Sequence, residues 1–216
     1  MLTDARLMTA LAAPTCRAVP WLPVLGGAVV GLGIAAVPAA FSVVLQPADV
    51  ATLLRVAAVA GALGVAFVLD DPAAQVVAVT PVRRLVRYGL RVAAVLPFAA
   101  LWWAGLIALT SPVNAAGLPL GGLTLEAATL LAAALALAAV GKRVGSEDAG
   151  SVLAVPALVA LVAAVALLPG PAAFFVSPQD PRWARMHVGW AVLLLVAVFA
   201  GTFAAHEPRP GRRGRR

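Results

Sequence analysis

Six long apolar runs separated by short polar connections divide the chain: Trp21–Leu45, Ala51–Leu69, Val92–Thr110, Leu123–Val140, Ser151–Leu168 and His187–Ala205. Each is close to the roughly 20 residues that a helix needs to cross the hydrocarbon core of a bilayer. The runs are apolar on all sides and rich in Ala, Leu and Val, whereas barrel strands alternate in polarity over about ten residues. The pattern predicts an all-α membrane protein with six transmembrane helices. They form a single transmembrane domain over residues 1–205, followed by a basic tail over 206–216. Pro23, Pro38, Pro97 and Pro156 punctuate the runs, and neighbouring helices can satisfy the backbone groups that such kinks free. Gly26, Gly27, Gly31 and Gly33 permit close helix approach, so the first helix is expected to pack on protein.

Composition excludes most alternatives. Of 216 residues, 62% are apolar and 12% charged, with a mean hydropathy of +0.99. Soluble domains run near half apolar and a quarter charged. Too little polar surface remains here for a cytosolic enzyme, a disordered chain or a secreted disulfide scaffold. The net charge of +7 comes from short basic clusters between apolar runs, and no nucleic-acid partner is expected. With an even number of spans, thirteen of the 16 Lys and Arg fall on the side of the termini, and only Arg55, Arg182 and Arg185 on the other. By the positive-inside rule both termini face the cytoplasm, which places a multi-pass protein in the cell membrane. The tail is expected to lie against anionic headgroups. The N-terminus lacks the basic-apolar-small order of a signal peptide.

Chemistry-bearing residues are few. His187 and His206 sit at opposite ends of the last run, Cys16 is the lone cysteine, and no HExxH, GxSxG or paired acidic motif occurs. Neither an enzyme nor a metal site is expected. Arg55 and Glu126 are the charges inside the runs, each three or four residues from the outer end. They either pair across spans two and four or snorkel separately to the interface. The outer connection PGPAAFFVSPQDPRWARM places Phe174 and Phe175 among prolines and predicts a short re-entrant segment before the last span. Trp183, His187 and Trp190 follow on one helical face, as an aromatic belt or a gate. Together Arg55, Glu126, Phe174, Phe175, Trp183 and His187 form a candidate outer gate.

The longest cytoplasmic connection, residues 69–91, opens with Asp70 and Asp71 as capping acids and Pro72 at a first helical position. A short helix over 73–80 ends at Thr80-Pro81, and Arg83, Arg84 and Arg87 follow at the headgroup level. Such a helix lying on the inner face suits docking to another protein. At this loop the sequence resembles the permease subunits of type-2 ABC (ATP-binding cassette) exporters. Their signature after the second span is Gly-Thr-Leu-Glu, a leucine pair, then proline, a small or polar residue and arginine. Here Pro72-Ala73-Ala74-Gln75 stands in the first position, Val77-Ala78 in place of the leucines, and Thr80-Pro81-Val82-Arg83-Arg84 at the end. The DDPA opening and a later WARxHxxW look like small actinobacterial members, and Leu2–Ala13 looks like the N-terminal interfacial helix of such permeases.

The resemblance implies a coupling helix that docks an ATPase through Asp70, Asp71, Pro72, Gln75, Thr80, Pro81, Arg83 and Arg84. ATP and magnesium would be bound by that partner, since this chain has no phosphate-binding loop and no cofactor of its own. A second permease copy or a related permease would complete the pathway, and an apolar lining would suit a lipophilic or amphipathic substrate. A secondary carrier or channel, or a scaffold subunit of a membrane complex, are the competing expectations.

Overall fold

A computed structural model describes residues 17–70, 84–111, 117–145 and 149–206. Within them the chain forms six α-helices: α1 (Trp21–Ala40), α2 (Pro47–Val65), α3 (Arg84–Thr110), α4 (Leu120–Val144), α5 (Ala149–Ala166) and α6 (Trp183–Ala205). No strand occurs among the described residues. Five helices are long and apolar enough to cross a membrane, and α5 is a shorter apolar helix. The architecture is that of a helical, multi-pass membrane protein.

Each helix coincides with an apolar run, but the helix ends depart from the run ends. Hydropathy stops at the first charges, whereas backbone hydrogen bonding continues through them. Thus α3 starts at Arg84, eight residues before the run, and α4 continues through Lys142 and Arg143, which complement the dipole at its C-terminus. Conversely, α1 ends at Ala40 and the apolar residues to Leu45 form a turn with Ser42 at φ +52°. α2 begins four residues before its run, with Pro47 at the first helical position and Asp49 in the first turn.

α2 and α4 form the centre. Half of each is buried, against 28% of α1 and 17% of α3 and α6. They run in the same direction, with α1 packed on α2 and both α5 and α6 packed on α4. Close approach of α1 and α2 depends on glycine. A Cβ on Gly27 would lie 2.5 Å from the carbonyl oxygen of Ala60, and one on Gly64 would lie 2.6 Å from that of Pro23. On the Arg55 side of this crossing Trp102 of α3 fills the space left by Gly31 and Gly61, and its indole N–H donates to the Ala28 carbonyl at 2.9 Å. Gly26 and Gly33 face open space instead, so half of the first helix's glycines serve packing within this chain.

The connection between α5 and α6 is irregular apart from one 3-10 turn at Gly170–Ala172. It folds back onto α6 with Val176 buried. Phe174 and Phe175 pack on Trp190, with ring centroids 5.9 and 5.2 Å away. Gly170 adopts φ +52°, and its carbonyl accepts from Arg182 Nη1 at 2.8 Å. Arg182 in turn pairs with Asp180 at 2.8 Å, which ties the two ends of the connection together.

Candidate functional site

The residues expected at the outer gate converge beneath the α5–α6 connection. α2 carries Arg55 about two turns from its start, and α4 carries Glu126 in its second turn. Because the two helices are parallel neighbours, these positions lie at the same depth. Arg55 Nε donates to Glu126 Oε2 at 2.6 Å, and Nη2 donates to Oε1 at 2.8 Å. This two-point contact uses the planar guanidinium fork that matches a carboxylate. The charges therefore pair and do not snorkel separately. Glu126 is 1% exposed and Arg55 11%, so little water screens them.

Arg55 is held from above as well. Its Nη2 donates to the Val176 carbonyl at 2.9 Å, and its Cζ lies 5.3 and 5.8 Å from the ring centres of Phe175 and Trp183. Both distances fall within cation–π range. The first turns of α6 close the other side. His187 Nδ1 lies 2.7 Å from the Trp183 carbonyl, and since a carbonyl only accepts, Nδ1 carries the hydrogen. His187 Nε2 stands 3.1 Å from Glu126 Oε1 yet makes no hydrogen bond among the described residues. The ring stacks on Trp183 with centroids 4.1 Å apart. This closeness to α4 requires Gly122, where a Cβ would sit 2.7 Å from both His187 Nε2 and the Trp183 ring. Phe174 packs on Trp190, and its carbonyl accepts from the Trp190 indole at 3.4 Å.

A second polar cluster lies at the opposite end. Arg91 of α3 donates from Nη1 to the carbonyls of Leu69 and Asp70 at 3.1 and 2.8 Å. Lys142 Nζ of α4 lies 3.5 Å from Asp70 Oδ1, with the lysine side chain 2% exposed. Glu126 and Lys142 are sixteen residues apart on one continuous helix, or about 24 Å. The two clusters thus bracket most of the roughly 30 Å thickness of a hydrocarbon core. Of the expected docking residues, Asp70 and Arg84 are described; Asp71, Pro72, Gln75, Thr80, Pro81 and Arg83 lie outside the described residues. So do Leu2–Ala13 and the tail from residue 207.

Apolar cavities open between helices. One of about 290 Å³ lies among α4, α5 and α6 beneath Phe175 and Trp190. Another, about 240 Å³, lies among α3, α4 and α6 beside Leu69 and Tyr88. Phe175 borders the first cavity and also faces the Arg55 guanidinium. Among the described residues no three His, Cys, Asp or Glu side chains gather as a metal site would require.

Sequence reasoning did not single out Val176, Gly122 or Trp102, nor the pairing of Lys142 and Arg91 with Leu69 and Asp70 beyond the end of α2. Gly122 and Trp102 carried a signal, because a large ring needs a glycine opposite it. The Val176 contact uses a backbone carbonyl and leaves no trace in side-chain chemistry. In comparisons with protein families, curated proteins and solved structures, nothing matches this chain.

Proposed function

We propose that the chain is the membrane-spanning permease subunit of an ATP-driven ABC exporter, with ATP and magnesium bound by a separate subunit docked on the 70–84 loop. The observation that supports this reading best is the anchoring of that loop. Its first residue, Asp70, is tied to α3 by Arg91 and to α4 by Lys142, and its last, Arg84, begins α3. A push on residues 71–83 would therefore be delivered to α2, α3 and α4 together. A rigid mount of this kind suits a coupling element, whereas a loop that only touches lipid has no need of it.

In this reading the Asp70 end is cytoplasmic, in accord with the distribution of Lys and Arg, and the Arg55 end is outer. The α5–α6 connection is then a re-entrant cap over the Arg55–Glu126 pair and serves as the gate. The apolar cavity beneath Phe175 meets the charged cluster at that ring, a juxtaposition suited to an amphipathic substrate. A second permease copy would complete the pathway, covering apolar surface that α1 and α5 leave exposed, including Leu22, Val29, Val152 and Leu161.

A photo-crosslinking residue at Gln75 tests the docking. The proposal expects capture of an ATP-binding chain from Gln75 and none from Ser177 at the far end; no ATP-binding adduct at Gln75 contradicts it. A gradient-driven carrier is the second reading, favoured by the imidazole set against a buried carboxylate. It expects transport that survives ATP depletion and stops when the ion gradient collapses.

A further inference from the structure

We infer that His187 is a proton-binding site that latches α6 and its preceding connection onto the Arg55–Glu126 pair. The site is built from a side chain nine-tenths buried, whose Nε2 stands 3.1 Å from a carboxylate oxygen and has no hydrogen-bond partner among the described residues. The Nδ1 position is already committed as a donor to the Trp183 carbonyl. Nε2 therefore has two states. In the neutral ring it presents a lone pair to Glu126 Oε1; after proton uptake it presents an N–H. The first contact repels, and the second sets a positive charge 3.1 Å from the carboxylate as an ion pair.

The charged groups around the ring are few. Glu126 faces it from α4, and Arg55 from α2 holds that same carboxylate. The connection contributes the Phe175 ring and the Val176 carbonyl, both engaged by Arg55. Asp180 and Arg182 are occupied with each other, Asp49 and Arg185 are exposed, and α1 and α5 carry no charged side chain. Glu126 is thus the group that senses the proton on His187. Oε1 is shared with Arg55 Nη2, which also holds Val176, so the new ion pair joins α6, α4, α2 and the connection in one network. Acid closes the latch, and loss of the proton loosens the cover over the cluster. This inference concerns the purified chain and holds whichever energy source drives transport.

The test uses the full-length protein with Cys16→Ser and a reporter thiol at buried Val176 (Val176→Cys), whose backbone carbonyl is retained. Labelling by a water-soluble maleimide is divided by the rate at exposed Ala172 (Ala172→Cys), which removes the intrinsic pH dependence of the thiol. The scan runs from pH 5 to 8. The normalised rate at pH 5 should be about tenfold below that at pH 8, the order of one close ion pair in an opening equilibrium. His187→Asn should flatten the profile and His206→Asn should leave it intact. Should His187→Asn fail to fold, the fluorescence of Trp183, stacked on the ring, supplies a second measurement. A pH-dependent quench must then be present in the parent and in the His206→Asn protein and absent from Trp183→Phe. A normalised rate that does not change with pH, a profile that persists in His187→Asn, or a quench that persists in Trp183→Phe would overturn the inference.

Discussion

Arg55 and Glu126 stand 71 positions apart and meet through two hydrogen bonds of 2.6 and 2.8 Å. Burying two charges is costly, and the cost is met here by the guanidinium fork, the Val176 carbonyl and two aromatic faces. Removing one member leaves the other buried without its counter-charge, a loss of about 3–5 kcal/mol. Arg55→Leu and Glu126→Leu should each destabilise the protein by that order, and the double variant should recover much of it. Thermal unfolding in detergent, read as a double-mutant cycle, should give a coupling at least as large as one single loss, above about 3 kcal/mol. Additive losses would mean that the residues act independently.

The α1–α2 crossing makes a sharper prediction about glycine. At Gly27 and Gly64 the obstacle to a methyl group is the backbone of the facing helix, which cannot turn aside as a side chain can. Gly27→Ala and Gly64→Ala should each cost about 1–3 kcal/mol through forced separation. Gly26→Ala and Gly33→Ala meet nothing within 4 Å, and should leave the melting temperature of the monomer in detergent unchanged.

Acid should unfasten the α5–α6 connection at its Arg182 tie. Asp180 accepts from the Arg182 side chain at 3.1 and 2.8 Å and from the Arg182 amide at 2.8 Å. These bonds, with the nearby positive charge, hold its carboxyl down from 3.8 to about 2. A lowered folded-state value gives stabilisation that is whole above the ordinary carboxylate range and lost as pH falls through the folded value. Hydrogen exchange at the Arg182 amide, corrected for the intrinsic rate, should show full protection above about pH 4 and loss toward pH 2. Asp180→Ala should remove the protection at every pH.

The sequence makes the helices legible because apolar runs of this length have few other destinations. Their ends were less so, since the Arg84–Arg91 segment is helical while reading as a charged loop. The candidate site was half visible. Arg55 and Glu126 share a depth on the sequence pattern alone, and Trp183, His187 and Trp190 share a helical face. Whether two charges at one depth touch depends on α2 lying beside α4, and nothing in their all-round apolar surfaces encodes that neighbour. The division of the α6 face is likewise tertiary: Trp183 and His187 meet the ion pair, while Trp190 packs on Phe174 and Phe175. Lys142 and Arg91 read as topogenic charges because their partners, Asp70 and the carbonyls of Leu69 and Asp70 beyond the end of α2, come into reach only after folding.

The central claim is that a separate ATPase works on this chain through the loop anchored at Asp70. Its most direct measurement is purification of the tagged protein from its own host in mild detergent, with the co-purifying chains identified and counted. The account predicts an ATP-binding cassette subunit in stoichiometric amount. It also predicts loss of that subunit when Pro81→Ala and Arg84→Ala are combined, with the amount of inserted protein unchanged. A protein that purifies alone, or with partners that include no ATPase, would contradict it.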